Sequence, residues 1–349
     1  MMKSFKDISL SMSEAEYRAD GKMHYSTLAK YERGGGFKSI PTLFDKVESP
    51  SLLLGSCVDC LLTGSNEEFD ETYLVADFPS IGDKELSVVK GLFAIYGTSY
   101  NTLDEIPNSI IGGTIEEVGF QPNWKLETRI KVIKERCAEY YKLLRLSEGK
   151  TIVSSDMYAD ALNMVEALRT APSSKFLFAP NDPFDTNVER LYQLKFAYTF
   201  DGIDYSCMAD ELVVFHDKKL VLPVDLKTSS HTEYEFFKSF IDWNYSLQSR
   251  SYARIIRANM DKDEYFKDFK LLNYHFVVCN KKTLTPLVWE CPFTHEYGSI
   301  FVGKNKQIEL RDPFVIAKEL KYYLDNLSTV PQGISLSEPN NLETWLNTI

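Results

Sequence analysis

The sequence predicts an α/β fold, in which a mixed central β-sheet is flanked by helices and preceded by a helical region. Residues 188–227 alternate apolar and polar side chains in the manner of strands, and residues 124–146 repeat apolar side chains at helical spacing. Hydrophobic residues make up 44% of the 349 residues and charged residues 26%, as in ordinary globular proteins. Most of the chain is therefore expected to fold.

The N-terminal region is predicted to be helical. Between Lys22 and Gly64 the pattern indicates two helices separated by a glycine-rich break at residues 34–36, and Ser26 is a candidate N-cap for the first helix. Residues 79–122 contain turn residues and short apolar clusters, and we expect them to be irregular. A long amphipathic helix is predicted from Trp124 to Leu146.

A further helix, capped by Ser155 or Asp156, is predicted to end near Arg169. The character of the sequence then changes after Pro183. Turn signals at residues 201–202 and 216–219 divide residues 188–227 into three antiparallel strands. The elements expected next are helices over residues 233–260 and strands over residues 271–279 and 284–291.

These elements predict one domain with a single core. Residues 1–182 form its mainly helical part, residues 183–327 form the sheet and the helix after it, and residues 328–349 form a polar tail. The first residues lack the apolar stretch of a secretory signal, and no run approaches the ~20 apolar residues of a membrane span. We therefore expect a cytoplasmic protein, in the host cytoplasm if a phage encodes it, without a membrane partner.

The charge of the chain limits how it can contact nucleic acid. The formal net charge is -11 and the sequence pI is about 5.1. Such a protein does not coat nucleic acid through general electrostatic attraction, so any contact with DNA is expected to be local. A bound divalent cation would relieve part of this charge, because acidic residues gathered at a metal site count as negative until the metal binds.

Asp210 and Asp225 lie on either side of the predicted hairpin turn at Asp217-Lys218. A turn centred there places Asp210 directly opposite Asp225. Opposed residues share a sheet face with Cβ atoms ~4.5–5.5 Å apart, and like charges at that distance are destabilising. A divalent cation between the carboxylates would offset the repulsion, and oxygen ligands suit Mg²⁺ or Mn²⁺ better than zinc.

Strand parity adds further groups to this face. Lys227 lies two residues beyond Asp225, so its ammonium shares the face, while the side chain of Leu226 points into the core. Glu189 falls on the same face if its strand is continuous, as a third carboxylate near the metal. The alternative interpretation is a surface ion pair between Asp225 and Lys227, with the Asp210 carboxylate solvated nearby.

Gln248 and Tyr252 are spaced i,i+4 on a predicted helix and therefore project from one side of it. Taken alone, this pair is typical of a packed tyrosine beside a solvent-facing glutamine. Solvated surface charges are expected on the far side of the helix, at Arg250, Arg254 and Arg257.

The order of these residues resembles a known motif set. Asp210, then Asp225-Leu226-Lys227, then Gln248-x-x-x-Tyr252 is similar to the nuclease motifs of the RecB-like branch of the PD-(D/E)XK superfamily. More narrowly, it resembles the phage and prophage recombination exonucleases, the lambda exonuclease and exodeoxyribonuclease VIII group. The resemblance spans about residues 26–291 and implies a restriction-endonuclease-like sheet.

The resemblance also implies a metal site. Asp210 and Asp225 would bind Mg²⁺ or Mn²⁺. Leu226, which lies between Asp225 and Lys227 in the motif, is also expected to contact the metal. In the family's second N-terminal helix a G-x-x-x-H motif is usual, and here Asp59 stands in the place of the histidine after Gly55. Asp59 can still ligate a metal through oxygen, and the choice between one and two metals stays open.

The remaining motif residues acquire roles by the same resemblance. Lys227 would assist the attacking water, Gln248 would help hold the site, and Tyr252 would pack beside it or touch the phosphate. The resemblance places the glycine-rich break at the mouth of the active site. Candidate DNA-binding residues around that break are Lys30, Arg33 and Lys38.

The six cysteines do not indicate a cofactor. Cys57 and Cys60 have C-x-x-C spacing, but no second pair accompanies them, so buried free thiols are favoured over a zinc or redox site. Some nucleases of the RecB-like branch carry an iron–sulfur cluster, which needs several cysteines after the Gln-Tyr helix. Since only Cys279 and Cys291 follow that helix, no cluster is expected.

The sequence therefore predicts a Mg²⁺-dependent exonuclease that hydrolyses phosphodiester bonds from the ends of linear duplex DNA, in recombination or repair. A ring-shaped homo-oligomer and a single-strand annealing or binding protein are the partners that the lambda-type relatives suggest. Two alternatives remain open. The chain could be a catalytically silent relative that binds DNA ends or proteins, or it could be an endonuclease of the same chemistry.

Overall fold

The computed structural model describes residues 2–326, except residues 46, 48, 148, 230–231, 233–234, 293, 296–297 and 303–305. The predicted tail, residues 328–349, lies outside the described residues. The α-helices are α1 (Glu14–Arg18), α2 (Tyr25–Arg33), α3 (Pro50–Thr63), α4 (Asn66–Thr72), α5 (Asp83–Tyr96), α6 (Asn108–Val118), α7 (Leu126–Leu146), α8 (Ser155–Thr170), α9 (Phe236–Asp242), α10 (Tyr245–Met260) and α11 (Pro313–Asp325). The strands are β1 (Tyr73–Val75), β2 (Thr151–Val153), β3 (Val188–Phe200), β4 (Ile203–Phe215), β5 (Leu220–Ser229), β6 (Lys270–Leu271), β7 (His275–Asn280), β8 (Leu287–Glu290), β9 (Gly298–Val302) and β10 (Lys306–Leu310).

The described residues divide into two compact units. One unit, which we call the sheet unit, comprises the residues up to 48 and those from 167 onward, and the other, the helical unit, comprises residues 49–166. Each unit encloses a buried hydrophobic cluster of its own, where the sequence led us to expect a single core. The first helices belong with the sheet, and the predicted division of one domain into residues 1–182 and 183–327 stays a prediction.

The main sheet of the sheet unit is mixed, as predicted. Its strand order is β3-β4-β5-β7-β8, and β6 also pairs with β5. β3, β4 and β5 are antiparallel neighbours, whereas β5 and β7 are parallel. The β3–β4 turn consists of Asp201 (φ +48°) and Gly202 (φ +73°), the positive-φ pair that two-residue hairpin turns require. The predicted α/β fold class is confirmed.

The core of the sheet unit lies between the sheet and helices α2, α10 and α11. Helix α10 packs against α2, β3 and β4, and α11 packs against α2. Fully buried aromatic side chains dominate the cluster, among them Phe196, Tyr205 and Phe276. Burying one such side chain is worth about 1.5–3 kcal/mol, so this packing fixes α10 over the face of β3 and β4.

Helix α2 begins one residue earlier than its predicted cap. Its N-cap is His24, which makes no side-chain capping hydrogen bond, and Ser26 lies inside the helix. The His24 ring is engaged elsewhere, because Nε2 lies 3.1 Å from Asp20 Oδ1 and Nδ1 lies 3.3 Å from Ser206 Oγ. The start of α2 is therefore set by contacts with β4 and not by local capping.

Residues 79–122 were expected to be irregular, and that expectation is wrong. They contain α5 and α6, whose residues Val88, Leu92 and Ile115 are fully buried with side chains of α7. Gly112 of α6 packs closely on the start of α7, because a Cβ atom at this position would be in ordinary contact, 3.5 Å, with the Leu126 side chain. Tertiary packing thus explains helices that local propensity does not predict.

The helical unit contains the predicted C-x-x-C pair on α3. Cys57 is buried on α3, and burial, with the neighbouring Cys60, raises the pKa of the Cys57 thiol to about 11. A raised thiol pKa disfavours the thiolate that metal binding and redox chemistry need. Within the ranges that the structure describes, no helix is both long and apolar enough to cross a bilayer.

Candidate active site

Asp225 is a buried carboxylate on β5. Its side chain is 1% exposed, and it contacts two of the predicted site residues. The Gln248 side-chain amide on α10 donates to Asp225 Oδ1, and the Lys227 ammonium forms an ion pair with Oδ2. The structure thus brings Asp225, Lys227 and Gln248 together on the sheet face beneath α10.

Asp210 joins this group where two strands separate. The β4–β5 ladder ends at the pair Glu211 and Val224, after which β5 pairs with β7 on its other side. The Asp210 carboxylate accepts a hydrogen bond of 2.9 Å from the backbone N–H of Leu226, so it replaces the missing β4 backbone partner. This contact holds Asp210 beside the Asp225-Leu226-Lys227 motif.

The β3–β4 ladder is also interrupted opposite Asp210. Gln193 adopts a left-handed backbone (φ +53°), and the pairing passes from Tyr192 directly to Leu194. Distortions of this kind, which are costly for residues other than glycine, cluster at functional sites. Strand parity assumes a continuous ladder, so the residue pattern did not predict this interruption at Gln193.

Lys227 is surrounded by charge and aromatic rings. Its Nζ lies 4.8 Å from the centroid of the Tyr245 ring and 5.9 Å from that of Phe276. Burial by itself lowers the pKa of Lys227, but the nearby carboxylates, with Asp225 the stronger, raise it above its usual value overall. The lysine is therefore held as a cation against Asp225.

Tyr252 lies on the same side of α10 as Gln248, as their spacing predicts. Its ring packs edge-on against Tyr25, with centroids 6.2 Å apart, and against Tyr274, with centroids 6.1 Å apart. Burial first, and then nearby ionisable groups that include Asp225, raise the pKa of Tyr252 well above its ordinary value. Tyr252 therefore remains a neutral phenol at the edge of the acidic cluster.

The residues present fit a magnesium ion. Gln248 Oε1 is buried and has no hydrogen-bond partner within the described part of the chain, whereas Asp225 Oδ2 has the Lys227 ammonium beside it. Leaving a buried acceptor without a donor costs about 1–3 kcal/mol, which a bound cation and its waters would offset. The described residues contain no group of three or more metal-ligating side chains, but Mg²⁺ commonly takes one or two carboxylates together with water and substrate phosphate.

Glu189 is not part of this cluster. It pairs with Val214, on the expected face but four residues along β4 from Asp210, a separation of about 13 Å at ~3.3 Å per residue. Its carboxylate accepts a hydrogen bond of 3.1 Å from the backbone N–H of Phe5 and lies 3.4 Å from His216 Nε2. Parity fixed the face of Glu189 but not its position along the strand, so its predicted metal role is not supported by this geometry.

The four remaining predicted residues are one carboxylate on α3 and three basic residues around the glycine-rich break. Asp59 lies on α3 in the helical unit, and its proposed metal contact stays a prediction. Arg33 donates to the backbone carbonyl of Trp243 (3.2 Å), and Lys30 donates to that of Asp45 (2.8 Å). Lys38 is exposed.

Sequence reasoning missed two tyrosines. Tyr25 packs on Tyr252, and Tyr245 lies against the Lys227 ammonium. A signal for Tyr245 was available, because it precedes Gln248 by three residues and so shares its side of the helix. Tyr25 had no such signal, because only the packing of α2 against α10 brings it to the site.

Glu211, next to Asp210 in sequence, is a buried carboxyl that provides a test of the site's electrostatics. It is 1% exposed, and neither carboxyl oxygen has a hydrogen-bond partner among the described residues. Burial raises the pKa of Glu211 to about 9, although the nearby Arg190 lowers it. Glu211 is therefore protonated in the folded protein at neutral pH.

Glu211→Gln is expected to change how stability depends on pH. Between the unfolded pKa of about 4.3 and the folded pKa of about 9, unfolding of the native chain releases a proton, so its stability decreases as pH rises. Relative to the Gln variant, the native protein should lose up to about 1.4 kcal/mol of unfolding free energy per pH unit. Urea unfolding at pH 5, 6.5 and 8 measures this difference.

The matched control is Glu264→Gln, which removes an exposed carboxylate that pairs with Lys267. Its pH dependence should follow that of the native protein. Parallel stability curves for the Glu211→Gln and native proteins would show instead that Glu211 is ionised in the fold.

The sequence matches no protein-family model, and no curated protein matches it. One crystal structure that matches is that of a protein from Eubacterium rectale described as a "Putative exonuclease". The TM-score is 0.39 at 12% sequence identity, over 92% of this chain and 84% of that chain. This likeness is too distant to assign a family or an activity.

Proposed function

We propose that the protein is a Mg²⁺-dependent deoxyribonuclease. The observation that carries this proposal is the buried Asp225 carboxylate, which is fixed by Gln248, paired with Lys227 and accompanied by Asp210. Two acidic oxygens and a cation on one sheet face are the groups that phosphodiester hydrolysis uses. The buried Gln248 Oε1, which has no donor among the described residues, supports a cation site beside Asp225.

Each residue then has a definite task. When bound, Mg²⁺ supplies polarisation of the phosphoryl oxygens and a bound water of lowered pKa. Asp210 and Asp225 would hold the cation through oxygen, and Gln248 orients the Asp225 carboxylate by donating to Oδ1. The Lys227 ammonium orients the attacking water and stabilises the negative charge that develops on the phosphate.

Exonuclease action on the ends of linear duplex DNA is the more specific part of the proposal. It is supported by the resemblance of the motif order to the recombination exonucleases. A net charge of -11 is compatible with DNA held locally at the site, and Arg33, one of the three predicted basic residues, lies over the Trp243 ring close to the start of α10. A role in recombination or repair, a ring-shaped oligomer and a single-strand annealing partner belong to the same proposal.

Incubation with labelled DNA tests the proposal. Purified protein is mixed with end-labelled linear duplex and with closed circular DNA, each with Mg²⁺ or with EDTA. We expect nucleotides to be released from linear DNA only when Mg²⁺ is present, while circular DNA stays intact. Cutting of circular DNA would identify an endonuclease, and binding of ends without cleavage would identify a catalytically silent relative.

A further inference from the structure

Trp243 is an exposed aromatic side chain beside the candidate active site. It ends α9, and Asn244 after it takes a left-handed backbone (φ +56°) before α10 begins. This turn leaves the indole 50% exposed. Exposed tryptophan in a soluble fold is a frequent mark of a binding surface.

Two side chains of α2 hold Trp243 in place. The Tyr25 hydroxyl donates to the Trp243 carbonyl at 3.1 Å, and Arg33 Nη1 donates to the same oxygen at 3.2 Å. The Arg33 guanidinium also lies over the indole, 4.7 Å from its centroid. The indole is therefore oriented before any ligand binds, and it still has exposed surface.

The Arg33–Trp243 pair is continuous with the catalytic residues. Tyr25, which anchors Trp243, packs on Tyr252, and Tyr245 lies two residues after Trp243 with its ring against the Lys227 ammonium. Burial raises the pKa of both Tyr25 and Tyr245, and the positive charges of Lys227 and Arg33 lower it in each case. Trp243 thus lies at the rim of the site that would hold the scissile phosphate.

We propose that Arg33 and Trp243 form a platform on which an unpaired base at a DNA end stacks while its phosphate lies at Asp225. This inference rests on the proposed nuclease function and specifies its substrate as an end with an unstacked nucleotide. Stacking on an aromatic ring is possible for every base, so the platform selects single-stranded character and not sequence. The Arg33 cation adds attraction for the adjacent phosphate.

Binding at low salt with Mg²⁺ present, to DNA whose terminal linkages are phosphorothioates that resist cleavage, tests the platform. The probes are duplex oligonucleotides with a short single-stranded overhang, placed on one strand or on the other. The terminal nucleotide of the overhang carries 2-aminopurine. Trp243→Ala should weaken binding of the overhang roughly 5- to 150-fold, the equivalent of one base–aromatic stack, and Trp243→Phe should restore most of it. Phe184→Ala, which removes a 96% exposed aromatic elsewhere in the sheet unit, should change nothing.

A base deletion separates stacking from a structural role of Trp243. An abasic site in place of 2-aminopurine should weaken binding by the native protein as much as Trp243→Ala does, and the two changes together should cost no more than either alone. Equal affinity of the Ala and native proteins would overturn the platform. So would an Ala-variant loss that persists on abasic DNA, or failure of the native protein to bind overhangs.

The outcomes also distinguish the platform from the nuclease proposal. If overhang binding depends on Trp243 but Mg²⁺ never produces cleavage, the platform stands and the nuclease proposal fails. If linear DNA is degraded while Trp243→Ala binds as the native protein does, the nuclease proposal stands and the platform fails.

Discussion

Asp225→Asn is expected to abolish DNA cleavage and divalent-cation binding together. The substitution removes one anionic oxygen from the site but preserves the size of the side chain and an acceptor for Gln248. Cleavage should fall by roughly 10³-fold or more, because the site loses the group that holds the metal charge. A nuclease assay beside calorimetric titration with Mn²⁺ measures both effects.

The same variant tests the charge balance of the metal-free site. Repulsion between Asp210 and Asp225 alone would make Asp225→Asn slightly stabilising. The structure gives the opposite expectation, since Asp225 is ion-paired with the partly buried Lys227, which loses its partner. Thermal unfolding in EDTA should therefore occur at a lower temperature. Asp217→Asn, in the exposed turn of the same hairpin, is the control and should leave activity, binding and stability unchanged.

Lys227→Met is expected to separate metal binding from catalysis. The methionine keeps most of the aliphatic volume against Tyr245 but removes the ammonium from Asp225. Mn²⁺ should bind at least as tightly as in the native protein, because a competing positive charge is gone. Cleavage should nevertheless fall by roughly 10²–10³-fold, because charge stabilisation acts in the transition state.

The control for this change is Lys218→Met, which removes an exposed lysine from the β4–β5 turn. It should retain full cleavage. Near-normal cleavage by Lys227→Met would show that Lys227 is only an ion-pair partner of Asp225 and would remove it from the mechanism.

The antiparallel part of the sheet was predictable because its turns fix the register. Asp201-Gly202 determines the β3–β4 pairing, and the turn at residues 216–219 determines the β4–β5 pairing up to Glu211 and Val224. Beyond that pair the ladder ends, so the sequence predicted the approach of Asp210 to the motif but not the hydrogen bond to Leu226. Backbone hydrogen bonds that are lost at a strand separation leave no mark in the residue pattern.

Helical spacing gave the direction of side chains but not their surroundings. It predicted correctly that Gln248 and Tyr252 face one side of α10. On the other side, Arg250 was expected to be solvated, yet it is 3% exposed and donates to the backbone carbonyls of Ser246 and Leu310. The sequence cannot show that β10 ends against this helix face, which is where Leu310 lies.

The composition of the sheet unit from two separate stretches of chain affects the order of its synthesis. Phe5, Leu28 and Tyr31 belong to a core whose strands begin at Val188. At about 5–20 residues per second, a ribosome takes roughly 10–30 s to make the intervening chain. During that time these apolar side chains have no sheet to cover them, whereas the helices of residues 49–166 can already bury their own cluster. We therefore expect the nascent N-terminal segment to keep these apolar side chains exposed until the strands from Val188 onward have been made.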